Sequence, residues 1–74
     1  MKQKLIQSVN HEIARGKAKW GEVDKSPELL LIAATEELGE VAHAINHNEG
    51  CATIQQEIAE AVGILARLYD MVER

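Results

Sequence analysis

Two stretches of this sequence hold residues whose type and spacing could do chemistry: Glu36-Glu37-Leu38-Gly39-Glu40 and Glu57-Ile58-Ala59-Glu60. Each contains two glutamates three residues apart, Glu37 with Glu40 and Glu57 with Glu60. On a helix, that spacing puts both carboxylates on one face about one turn apart. Like charges so placed repel, costing an isolated helix a few tenths of a kcal/mol per pair. A single pair is unremarked, because Glu is a good helix former on a solvated face. Two pairs on neighbouring apolar helices call for a counter-charge, and a divalent cation supplies one. Oxygen donors at this density suit Mg²⁺, Mn²⁺ or Ca²⁺. A donor set without Cys argues against structural zinc. Mg²⁺ keeps several waters and completes its shell with substrate phosphates, which points to phosphate chemistry.

The elements that must position these carboxylates read as helices. Leu5, Ile6, Val9 and Ile13 recur at helical spacing and predict a first helix over about residues 3–18. The polar segment 21–25 is a connection. Ser26-Pro27 then supplies an N-cap and a favoured first helical residue. The second helix runs over about 27–48, with Gly50 as its stop and an apolar seam of Leu31, Ala34, Leu38, Val41 and Ile45. Thr53-Ile54-Gln55-Gln56 has the form of a capping box and opens a third helix over about 54–73. Its stripe is Ile54, Ile58, Ala61, Leu65, Leu68 and Val72. No strand signal competes, so the class is all-α.

The short connection between helices two and three predicts an antiparallel hairpin. At roughly 100° per residue, Glu37 and Glu40 lie about 70° and 130° from their seam. Glu57 and Glu60 lie about 80° and 140° from theirs, in the same rotational sense. The four carboxylates are therefore expected on one side of the hairpin, among Ala33, Ala44, Ile64 and Met71, on a flank that helix one or another subunit covers.

The bulk properties set limits. At 74 residues the chain is one domain, short enough to need a metal or a partner chain to complete its core. A net charge of −4 argues against nucleic acid or an anionic membrane as a partner. Five of the twelve acidic residues lie in the two glutamate stretches, so the acidity is concentrated rather than spread for solubility. The single cysteine, Cys51, fits a reducing cytoplasm. No signal peptide is expected after Met1-Lys2-Gln3-Lys4, and no stretch approaches the roughly 20 apolar residues of a membrane span.

Glu37-x-x-Glu40, sixteen intervening residues and Glu57-x-x-Glu60 together resemble the signature of the MazG-type all-α nucleoside triphosphate pyrophosphohydrolases. That family's pattern is Glu-x-x-Glu, a spacer of similar size, then Glu-x-x-Asp. The doubled Glu and the glycine of Glu36-Glu37-Leu38-Gly39-Glu40-Val41-Ala42 strengthen the likeness, which spans roughly residues 20–70. The resemblance implies a helical domain that assembles as a homodimer or homotetramer into a four-helix-bundle-type fold. It implies Mg²⁺-dependent hydrolysis (Mn²⁺ being the alternative ion) of a nucleoside triphosphate to the monophosphate and pyrophosphate, in a house-cleaning role. Matched by position, Glu37, Glu40, Glu57 and Glu60 become the metal ligands. The sequence departs from the pattern at Glu60, where the family has Asp; the longer arm shifts the metal by about one methylene or makes one contact through water.

Around that site, Glu36 and Glu40 are the candidates to accept a proton from water, and so the candidate catalytic residues. Trp20 could stack on a nucleobase, or cap the core. Lys17 and Lys19, in a basic cluster with Arg15 and Lys25, could meet phosphates, or simply suit a helix C-terminus. Arg67, seven residues after Glu60, is a candidate phosphate contact or a counter-ion for Glu60. Two competing readings stand beside the hydrolase. One is a non-catalytic oligomerisation or regulatory module that keeps the acidic motifs. The other is a di-iron carboxylate bundle, suggested by Glu40-x-x-His43, although the third helix has no matching His.

Overall fold

The computed structural model describes residues 1–20 and 26–73, except for the side chain of Trp20. The connection 21–25, Lys25 and the Trp20 side chain lie outside the described residues. Three helices are found: α1 (Gln3–Trp20), α2 (Pro27–Asn46) and α3 (Cys51–Glu73), and no strand is present among the described residues. The all-α reading holds. No helix is long and apolar enough to cross a membrane among those described.

Local chemistry sets the helix ends. Ser26 caps α2, its hydroxyl accepting the Leu29 N–H at 3.3 Å, with Pro27 in the first turn, where a missing N–H costs nothing. At the other end, the Asn48 N–H donates to the Ile45 carbonyl at 3.3 Å and the Glu49 N–H to the Ala44 carbonyl at 3.0 Å. These paired bonds form a Schellman motif, and Asn48 takes its left-handed position with φ 52°. Gly50, at φ 98°, completes the reversal. The chain therefore re-enters a helix sooner than the Thr53 box suggests. The Gly50 carbonyl already accepts the Ile54 N–H at 3.1 Å, so α3 starts at Cys51.

The helix α3 is central. Both α1 and α2 pack on it, and α1 and α2 do not pack on each other among the described residues. The four residues from His47 to Gly50 leave α2 and α3 only an antiparallel course. Along α1, Lys4 meets Gln55, Glu12 lies against Gly63, and Gly16 lies against Arg67, so partners rise together and α1 runs parallel to α3. A cleft stays open between α1 and α2, with α3 as its floor.

The helices are rotated relative to the expected seam. The side of α2 turned inward carries Leu30, Ala34 and Ala44 as buried residues, with Ala33, Glu37 and Val41 half-buried. Leu31, Leu38 and Ile45, expected as the seam, are each more than half exposed. On α3 the same holds for Val72, and Ile58 and Leu65 are also exposed. Small residues make the contacts instead: Ala34 and Ala44 on α2, Ala59 and Ala61 on α3. At Gly63 an added Cβ would sit 3.3 Å from the Cβ of Glu12, so the missing side chain is what lets α1 approach. No large side chain is fully buried among those described, which leaves two exposed heptad-spaced aliphatic rows on the hairpin.

Candidate metal centre

The rotation of α2 brings Glu37 into the hairpin contact rather than onto its flank. There Glu37, Glu40 and Glu57 each offer a carboxylate oxygen, and the three oxygens lie within 4.8 Å of one another. Glu37 Oε2 and Glu57 Oε2 are shut off from water and have no hydrogen-bond partner. Buried acceptors in folded proteins are ordinarily satisfied, so each orphaned oxygen demands an explanation.

The electrostatics follow from this crowding. Burial pushes the Glu37 carboxyl up to about 8, helped by the Glu40 carboxyl beside it and by the charges of Glu60 and Glu57. Burial, and then the same Glu40 carboxyl, also raises Glu57. A divalent cation would remove the repulsion and give both orphaned oxygens a partner. The residues therefore fit a hard cation: the donors are all carboxylate, come from two helices and converge.

The fourth expected ligand is turned elsewhere. Glu60 Oε1 lies 3.5 Å from Arg15 Nη2, and Glu60 stands outside the converging trio. Arg15 is itself tied to α1, its Nε donating to Glu12 Oε1 at 2.8 Å. Glu12 is buried, and its second oxygen accepts from Gln56 Nε2 of α3 at 2.7 Å. Burial alone would raise the Glu12 carboxyl, but the hydrogen bonds from Arg15 and Gln56 and the Arg15 charge outweigh it and hold it below the usual carboxylate range. Arg15 was visible in the sequence only as part of a basic cluster, Gln56 only as part of a capping box, and Glu12 not at all. The usable signal was that Glu12 falls between Val9 and Gly16 on the face of α1 that meets α3.

A cavity of about 290 Å³ opens in the cleft beside the trio. Its walls bring the carboxylates of Glu37 and Glu60 together with the cationic side chains of Arg15, Lys19 and Arg67. Arg67 is buried, and its guanidinium passes so close to Gly16 that a Cβ there would meet it at 2.6 Å. Of the expected substrate residues, Lys19 and Arg67 thus reach the cavity. Lys17 is exposed on α1 and is not part of the wall. Glu36 is exposed and borders a separate, more apolar hollow with Leu29, Ile32 and Arg67.

His43 stands apart from the carboxylates that a di-iron centre would need it to join. Its Nε2 lies 3.3 Å from Glu49 Oε2, and its ring lies 4.0 Å from that of His47, centroid to centroid. No histidine joins the acidic group among the described residues. Compared with known families, curated proteins and solved structures, the chain matches none.

Proposed function

We propose that this chain is a MazG-like, Mg²⁺-dependent nucleotide pyrophosphohydrolase that cleaves a nucleoside triphosphate to the monophosphate and pyrophosphate. The observation that carries the reading is the convergence of Glu37, Glu40 and Glu57, with two buried oxygens lacking any partner. An acidic group made only of exposed, solvated carboxylates would leave no such atoms. The motif spacing supplies the reaction class, and the mixed-charge cavity beside the trio supplies room for phosphates.

Bound Mg²⁺ or Mn²⁺ would neutralise phosphate charge and orient the anhydride toward water. Glu37, Glu40 and Glu57 would hold the ion, and Glu60, which faces Arg15, is the fourth ligand that the motif spacing suggests. Glu40 is exposed and stands at the rim of the trio, which suits it to accept the proton of the attacking water; Glu36 is the second candidate. Lys19 and Arg67 bring positive charge to the side of the cavity where the phosphate chain would lie.

The same reading includes self-association. An 8.2 kDa chain folded as a compact monomer exposes roughly 4,500 Å² by the usual size scaling. This one exposes 5376 Å². The surplus is on the order of 800 Å², about one partner's share of a standard interface. The exposed rows Leu31–Leu38–Ile45 and Ile58–Leu65–Val72 are spaced as a helical bundle requires, so a second copy of the hairpin is the occupant that fits.

The direct test is pyrophosphate release from a panel of nucleoside triphosphates with and without Mg²⁺. Activity in the wild type that Glu37→Gln or Glu57→Gln abolishes supports the assignment. Unchanged activity in either variant would sink the site. A chain that releases no pyrophosphate and shows no Mg²⁺-dependent thermal shift is instead a non-catalytic helical interaction module.

A further inference from the structure

We propose that Arg15 is a phosphate-binding residue of this centre, anchored on Glu12 and only weakly held by Glu60 in the cavity beside the carboxylates. The inference extends the metal-dependent reading and rests on it. Arg15 comes from α1, outside both acidic helices, and its ion pair with Glu60 joins α1 to a glutamate of α3.

Its two contacts differ in kind. The bond from Nε to Glu12 is 2.8 Å long, and the Glu12 side chain is only 5% exposed. Glu12 is held from the other side by Gln56 at 2.7 Å, so this end is fixed. The contact from Nη2 to Glu60 is 3.5 Å, beyond the range of a good hydrogen bond, and it involves a guanidinium that is half exposed. Such pairs contribute little and are easily exchanged. A guanidinium offers its donors as a rigid fork, so anchoring through Nε leaves the Nη donors for other acceptors. Arg15 lines the cavity together with Glu37 and Glu60.

The consequence is a competition that becomes a cooperation. Without phosphate, the Arg15 charge lies beside the carboxylates and opposes a cation there. With phosphate, the Nη donors would leave their weak contact with Glu60 for the phosphoryl oxygens while Nε stays on Glu12. Arg15 thus balances the charge of the empty centre and receives the anion in the filled one.

The test measures two affinities on the full chain: Mn²⁺ alone by electron paramagnetic resonance, and inorganic pyrophosphate at saturating Mn²⁺ by calorimetry. In Arg15→Gln, Mn²⁺ is expected to bind a few-fold tighter while pyrophosphate binds about tenfold weaker or worse, the loss of a charge-assisted hydrogen bond. Arg15→Lys, which keeps the charge but not the fork, should recover part of the pyrophosphate affinity without the gain for Mn²⁺. A side chain that merely holds α1 on α3 would weaken both affinities and lower the melting temperature. That pattern, or an unchanged pyrophosphate affinity in Arg15→Gln, overturns the role. Wild-type protein that binds Mn²⁺ but no pyrophosphate also overturns it, while leaving the metal centre standing. Wild-type protein that binds no Mn²⁺ removes the centre and this role together, and needs no variant to reveal it.

Discussion

Glu37 of α2 and Glu57 of α3 meet across the hairpin, each with one carboxylate oxygen that neither water nor any hydrogen-bond donor reaches. Two like-charged groups in that position destabilise the empty protein. They are tolerated when protonated or when a cation lies between them.

The first consequence is a stability that falls with rising pH when no metal is present. Glu37 has a folded-state value of about 8 against an ordinary value of 4.5, so between these limits the folded chain binds more protons than the unfolded one. Stability then declines as pH rises through that window, the reverse of a salt-bridged carboxylate. Melting temperatures in chelator from pH 5 to pH 9 should decrease, and Mn²⁺ at the upper end should restore them. A flat profile would mean that the carboxylates are solvated.

Glu37→Gln should have opposite effects on stability and on metal binding. The neutral amide removes the buried charge, so the metal-free protein at pH 8 melts higher than wild type. The same change deletes a ligand, so the Mn²⁺-dependent thermal shift is lost. Thermal melts with and without Mn²⁺ check both signs, and a variant that melts lower without metal contradicts the account.

Glu12→Ala is expected to destabilise the fold by about 1.5–3 kcal/mol through loss of two charge-assisted hydrogen bonds to its carboxylate. The Glu12 carboxyl is held below its usual range, so its contribution is present above the ordinary carboxylate value and is lost as the medium becomes more acid. Denaturant titrations of wild type and variant at neutral pH and near pH 3 should therefore show a gap that narrows in acid.

Leu38→Glu tests the exposed aliphatic row. On a free surface this substitution changes stability by no more than about 0.5 kcal/mol. In a bundle with a second copy it buries a charge and splits the assembly. Sedimentation of the wild type should give a multiple of 8.2 kDa, and the variant should move toward the monomer. A wild-type chain that sediments as a monomer would remove the proposed assembly.

Much of this organisation could be read from residue order. The Ser26-Pro27 start of α2, the short reversal before α3 and the helical spacing of Val9 and Ile13 depend on neighbours in sequence, and each appears as expected in the structure. The meeting of Glu37, Glu40 and Glu57 also followed, because a hairpin of two helices leaves few ways to arrange two pairs, but Glu60, expected with them, faces Arg15 instead. The rotation of α2 did not follow. Leu29, Leu30, Leu31, Ile32, Ala33 and Ala34 are apolar around the whole helix, so periodicity offers several equivalent stripes. The bulky row Leu31–Leu38–Ile45 has the best heptad spacing, yet the side that meets α3 is the one whose alanines allow close approach.

The glutamate spacing, the helix ends and the all-α class were thus set by local rules of turn chemistry and apolar period. Which carboxylates meet, and which one turns to Arg15, depended on packing between helices. Glu37 entered the hairpin contact because the small residues Ala34 and Ala44 drew that side of α2 inward. Glu60 was claimed by Arg15 because Gly63 let α1 settle close enough for Glu12 to anchor the guanidinium. Residue spacing along a single helix carries no information about a third helix arriving from the other side.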